Sequence, residues 1–114
     1  MADPSSDKQP IRSEFASDPE MKELVELFLQ DLPGRIDSIQ KAQQAFDFET
    51  LKRMSHQLRG ASAGYGFPTL GKAAGALEDR LRALATQVQA DPKALSQVGN
   101  ELTQLIDMCR RAAA

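Results

Sequence analysis

Along the 114-residue chain, apolar residues return every three or four positions in four stretches, the spacing of one face of an α-helix. In the first, Met21, Leu24, Val25, Phe28, Leu29 and Leu32 follow Asp18-Pro19, an acid suited to cap a helix and a proline suited to its first position. Pro33-Gly34 interrupts the stripe, which resumes in phase at Ile36 and Ile39 and ends near Phe46. A proline inside a helix removes one hydrogen bond and crowds the preceding turn, so either a sharp kink or two abutting helices is expected. In both cases the preserved phase lets the two halves face one core.

Asp47 is the second cap, with Phe46 and Leu51 spaced as a hydrophobic staple across it. This second helix is expected to run to about Ala63 and to stop around Gly64-Tyr65-Gly66, where glycine tolerates a left-handed turn. Pro68 opens a third helix whose inner face is Leu70, Ala73, Ala74, Leu77, Leu81 and Leu84; Glu78 and Arg82 form an i,i+4 pair on it, worth a few tenths of a kcal/mol. Asp91-Pro92 repeats the acid-proline start, and Leu95, Val98, Leu102, Leu105, Ile106 and Cys109 form the last stripe, closed by Arg110 and Arg111. The short connections make consecutive helices antiparallel neighbours. No stretch alternates with period two for long enough to predict a strand. The reading is therefore an all-α, antiparallel four-helix bundle over residues 14–114, behind a flexible segment, 1–13, that is polar and holds Pro4 and Pro10. Gly75 and Gly99 fall inside helices at a cost of about 1 kcal/mol each relative to alanine, for which close helix contact is one reason.

Composition narrows the class. A chain of this length with 41% hydrophobic residues builds one modest core, and 5% aromatic residues with no tryptophan fits helices better than sheet. The net charge of -2, from 14 basic and 16 acidic side chains, is no nucleic-acid footprint. No apolar run approaches the roughly 20 residues that span a bilayer, and the first residues lack the apolar centre of a secretion signal. One cysteine, Cys109, excludes an internal disulfide framework and suits a reducing compartment, so the cytoplasm is expected. A metal or haem bundle is disfavoured by the single histidine and by the lack of Cys-x-x-Cys-His and paired Glu-x-x-His sequences; Met21, Met54 and Met108 sit at apolar positions suited to packing. No Gly-rich nucleotide loop is present, which argues against a kinase.

The single histidine, His56, lies on the second helix. At about 100° per residue from Leu51, the positions Met54, Ser55, Leu58, Ser62 and Tyr65 fall within about 60° of it and mark the buried face. His56 falls near about 140°, with Lys52, Arg59, Gly60 and Ala63 on its side, so the imidazole points away from the core. Two cations beside an exposed ring disfavour its protonated form and keep it available as a neutral nucleophile. The same cations suit an anion placed on the ring, while the small Gly60 and Ala63 leave room for a partner. Taken alone, a lone histidine on a charged helix face is more often a plain solvated side chain, although an exposed mid-helix glycine weighs slightly against that.

The run Ser55-His56-Gln57-Leu58-Arg59-Gly60-Ala61-Ser62-Ala63-Gly64-Tyr65-Gly66-Phe67 resembles the histidine-containing phosphotransfer (HPt) domains of multistep two-component phosphorelays. That family pattern has a histidine, an apolar residue two later, a basic residue three later, and glycines four and ten later. Here they are His56, Leu58, Arg59, Gly60 and Gly66, followed by Phe67 and by Leu70, Leu77 and Glu78 in the next helix. Phe28-Leu29-Gln30-Asp31-Leu32-Pro33 and Phe46-Asp47 extend the likeness to roughly residues 15–111. One departure is arginine at 59, where lysine is commoner: a compact ammonium becomes a planar fork. The resemblance implies that His56 accepts a phosphoryl group from a receiver-domain aspartyl phosphate and passes it to another receiver, as a carrier and not an autonomous kinase. It implies that Arg59, with Lys52 as auxiliary charge, neutralises the phosphoryl oxygens and that Gly60 admits the partner. Arg53 and Gln57 are candidates for the rim of the docking surface. No intrinsic cofactor is implied; Mg2+ belongs to the receiver. A monomer is expected, partnered by receivers and by a sensor or hybrid histidine kinase. Two alternatives share the bundle: a receiver- or kinase-binding module without transfer, and the phosphorylated input domain of a chemotaxis-type kinase.

Overall fold

The computed structural model describes residues 9–86 and 92–114. Among these, four helices hold the core: α1 (Pro19–Gln44), α2 (Phe48–Gly64), α3 (Pro68–Ala85) and α4 (Pro92–Arg111). Two short strands, β1 (Ile11–Arg12) and β2 (Ala112–Ala113), pair in parallel. The first two helix starts are made as their sequences dictate. The Asp18 carboxylate accepts from the Glu20 N–H at 3.0 Å, and Asp47 accepts from the Thr50 N–H at 3.1 Å, each satisfying a donor that the first turn leaves unpaired. Pro68 begins α3 without a side-chain cap before it. Asp91, the expected cap of α4, lies outside the described residues.

Of the two forms expected at Pro33, the split one is corrected: α1 is a single helix of 26 residues with Pro33 inside it. Its inner face, Val25, Phe28, Leu32, Ile36 and Ile39, is buried on both sides of the proline, because the apolar stripe keeps its phase. Leu24 departs from that stripe and is 44% exposed. The expected staple is corrected as well. Phe46 takes φ 53 and turns its ring outward, edge-on to Phe48 at 6.4 Å, while Leu51 is fully buried without it.

Leu51, Leu58, Phe67, Leu70, Leu77, Leu81, Leu102 and Leu105 complete the core, each contributing roughly 1.5–3 kcal/mol by burial. The α2–α3 pair is the most extensive helix contact, and Gly71 shows how close it is: a Cβ there would lie 3.3 Å from the Arg59 carbonyl oxygen. Arg80 on α3 donates to Glu101 and, at 2.8 Å, to Gln97, fastening α4. Cys109 is buried, and burial, only partly opposed by the charge of Arg35, pushes its thiol up to about 11, so it packs as an apolar group. Met21, Met54 and Met108 pack against the core.

The segment expected to be flexible as far as residue 13 is placed from Gln9 onward. Ile11–Arg12 pairs with Ala112–Ala113, and the Arg12 guanidinium donates to the Ala114 carbonyl at 3.0 Å. Buried Ser13 donates to the Tyr65 carbonyl at 2.7 Å, and the Glu14 N–H donates to the Gly66 carbonyl at 2.8 Å. Gly66, at φ +86, makes this possible: its left-handed turn ends the α2 hairpin, and a Cβ would meet the Ser13 hydroxyl at 2.6 Å. Residues 1–8 lie outside the described residues. No helix among those described is long and apolar enough to cross a membrane.

Candidate functional site

Helix α2 fixes His56 by anchoring its opposite face. Leu51, Ser55, Leu58 and Ser62 are buried against the neighbouring helices, with the Ser55 hydroxyl donating back to the Leu51 carbonyl at 2.7 Å. The 100° rotation per residue then leaves His56, Gln57, Arg59 and Gly60 on the exposed side, and the His56 side chain is 70% exposed. The exposure of His56, Arg59 and Gly60 agrees with the helical-wheel expectation.

Across the α2–α3 seam lies an acid that the sequence reading pairs only with Arg82. Glu78 of α3 is 1% exposed, and His56 Nδ1 stands 2.9 Å from its Oε2. The same carboxylate accepts from Arg59 Nη1 at 3.4 Å through Oε1 and from Arg82 Nη2 at 2.6 Å through Oε2. Burial by itself raises the carboxyl of Glu78. The hydrogen bonds from His56 and Arg59 and the charges of His56 and Arg82 outweigh it and hold the group below its ordinary value. Glu78 is thus a carboxylate at neutral pH. Desolvating it is costly, and three donors at its rim offset that cost.

The charge state settles the ring's orientation. A carboxylate only accepts, so Nδ1 carries the hydrogen, and in the neutral ring Nε2 must present its lone pair outward. The arrangement is an imidazole held at one nitrogen and open at the other, which is chemically able to act as a nucleophile. Beyond the two cations expected beside it, the ring has an anion, Glu78, as its hydrogen-bonded partner. Of the two cations, Arg59 joins the cluster, whereas the Lys52 ammonium pairs with Glu49 at 3.4 Å. A Cβ at Gly60 would meet nothing within 4 Å among the described residues, which leave this stretch of α2 bare beside the ring. Arg53 and Gln57 are exposed on the same helix. No cluster of three or more histidine, cysteine or acidic side chains with metal-holding geometry occurs among the described residues.

Glu78 carried a readable signal. Taking Leu70 as zero, Gly71, Gly75, Glu78 and Arg82 fall between about 80° and 140° on α3, a second stripe beside the apolar one. Small residues at Gly71 and Gly75 bring α2 close, and that proximity turns Glu78 from a surface acid into a buried one.

Comparison with known families matches residues 23–108 to the family described as Hpt domain. Neither a curated protein nor a solved structure matches the chain.

Proposed function

Because the chain belongs to the Hpt domain family, whose members act in histidine phosphotransfer of two-component signalling, we propose that it is a phosphorelay carrier with His56 as the phosphoryl acceptor. The donor is an aspartyl phosphate on a receiver domain, and a second receiver takes the group onward. Its four helices, joined by short connections, run antiparallel.

The step balances on the residues in hand. The Nε2 lone pair of His56 attacks phosphorus in line, the N–P bond forms, the acyl phosphate O–P bond breaks, and the receiver's aspartate leaves as carboxylate. No proton moves at Nδ1. The ring, protonated at Nδ1 and phosphorylated at Nε2, gains positive charge as the bond forms, and the Glu78 carboxylate at 2.9 Å stabilises that charge more than the neutral ring. Arg59, held through Nη1 on Glu78, offers its remaining N–H groups to the phosphoryl oxygens, and Lys52 adds charge from one turn away. Arg82 shares Glu78 with His56 and Arg59 and helps to compensate the buried carboxylate. Gly60 admits the receiver's active site, which supplies Mg2+, and Arg53 and Gln57 lie at the rim of the docked surface. The protein works as a cytoplasmic monomer.

One observation carries this reading: an imidazole 70% exposed whose Nδ1 is fixed on a buried carboxylate. Mixing the protein with each phosphorylated receiver encoded beside it tests the reading, with initial rates followed. An acid-labile, alkali-stable label should appear on the protein from at least one receiver within seconds to minutes. Absence of label from every receiver, despite measurable binding, would leave a docking module without transfer.

A further inference from the structure

We infer that Gly75 is a positioning residue for Arg59: the side chain missing from α3 lets a guanidinium lie across that helix and share the carboxylate that holds His56. The effect on rate rests on the reading of His56 as phosphoryl acceptor; the placement of Arg59 rests on geometry alone.

Gly75 lies in the middle of α3, where alanine is the better helix former, so its presence calls for a compensating contact. That contact is Arg59. A Cβ built on Gly75 would stand 3.2 Å from both Cδ and Nε of Arg59 and 3.5 Å from its Cζ. The arginine therefore lies against the α3 backbone along the open groove that Ala63, Gly71 and Gly75 help to line. From there Nη1 reaches Glu78 Oε1, and the other oxygen of that carboxylate holds His56 Nδ1. One buried carboxylate thus fixes ring and guanidinium in a common frame. Gly34, Gly60 and Gly99, also inside helices, have nothing among the described residues within 4 Å of their Cβ positions and show no such crossing.

The contact is finely poised. Distances of 3.2 Å are tighter than ordinary carbon contacts, so an added methyl makes Arg59 retreat by a few tenths of an ångström. The Arg59–Glu78 contact already stands at 3.4 Å, the outer limit for such a bond, and a retreat of that size breaks it. The fold has little stake in the change, because the group displaced is the end of a flexible side chain that is 53% exposed. A lysine at position 59 has no planar group to lay over Gly75, so the same methyl has no guanidinium to displace. Arg59, the residue that departs from the family pattern, and Gly75 are therefore coupled.

The test is a double-mutant cycle of wild type, Gly75→Ala, Arg59→Lys and the double variant, in the full chain. The readouts are the initial rate of phosphoryl acceptance from a phosphorylated receiver and the melting temperature. Gly75→Ala should slow acceptance by roughly three- to ten-fold at an unchanged or raised melting temperature, the size of a displaced positioning group. In the Arg59→Lys background the same change should alter the rate by less than about two-fold. Equal slowing in both backgrounds, or no slowing in either, would overturn the coupling. The Arg59 Nε–H resonance gives a readout independent of transfer: packed against α3, its shift should differ from that of free arginine in wild type and move toward it in Gly75→Ala. If wild type accepts no phosphoryl group, the transfer reading fails and this resonance decides the placement alone. An unchanged resonance would refute the placement.

Discussion

Replacing Glu78 by glutamine removes one charge and keeps the shape of the group that anchors His56. The amide oxygen can still accept from Nδ1, so what changes is the response to positive charge growing on the ring. Hydrogen bonds to a charged partner contribute about 1.5–3 kcal/mol and neutral ones about 0.5–1.5, a difference of about 1 kcal/mol in the transition state. Water reaches the ring, which is 70% exposed, and screening pulls the expected loss toward the lower end. At about 1.4 kcal/mol per decade, transfer to Glu78→Gln should be roughly three- to ten-fold slower. Stability should change little. The variant loses attraction to two arginines that are 53% and 60% exposed, but no longer buries a charge, so the net change should fall within about 1 kcal/mol. Initial rates with one phosphorylated receiver, read beside urea unfolding of both proteins, measure the two quantities. The pH dependence has a definite sign. The folded-state value of Glu78 lies below its ordinary 4.5, so its pairing stabilises the fold fully above that pH and the contribution is lost as pH falls through the lower folded value. The wild type should therefore lose stability relative to the variant only in that acid window. Equal transfer rates at neutral pH would refute the role given to the carboxylate, and a loss of several kcal/mol would make Glu78 a structural keystone instead.

Three further outcomes test the framework around the site. Leu58→Ala empties a position that is 1% exposed behind His56 and should cost about 2–5 kcal/mol in urea unfolding; a negligible loss would contradict the phase of α2. Gly66→Ala puts a Cβ 2.6 Å from the Ser13 hydroxyl at φ +86, so about 1–3 kcal/mol should be lost, and an unchanged midpoint would mean that the turn adapts freely. Ser62→Ala removes a buried hydroxyl that has no hydrogen-bond partner among the described residues, and stability should stay level or rise by about 1 kcal/mol; a clear loss would reveal a bond to that hydroxyl.

The helices were legible because their information is local. The stripe of Val25, Phe28, Leu32, Ile36 and Ile39 and the caps at Asp18 and Asp47 act within a few residues, and their physics is nearly independent of the rest of the chain. His56 and Arg59 were placed on the exposed side of α2 by rotation alone, and the structure keeps them there. What rotation could not supply was the other wall of the site. In the sequence Glu78 shows only as half of an i,i+4 pair with Arg82, because its burial comes from α2, a different helix, brought near by Gly71 and Gly75. The same wheel groups Lys52 with His56, but a wheel does not say which neighbour a long side chain chooses, and here its ammonium pairs with Glu49. The terminal clip escaped for a related reason. Two residues at each end are too few to show a period, and Ile11–Arg12 finds Ala112–Ala113 only once the bundle has brought the termini together.

The most direct measurement locates the phosphoryl group itself. Protein labelled by a phosphorylated receiver, kept at alkaline pH and analysed by peptide mass spectrometry and phosphorus–proton NMR, should carry one phosphoryl group, on Nε2 of His56, and the His56→Ala variant should carry none while remaining fully helical. A phosphoryl group on any other side chain, on Nδ1 of the ring, or in equal amount on the variant would contradict the account.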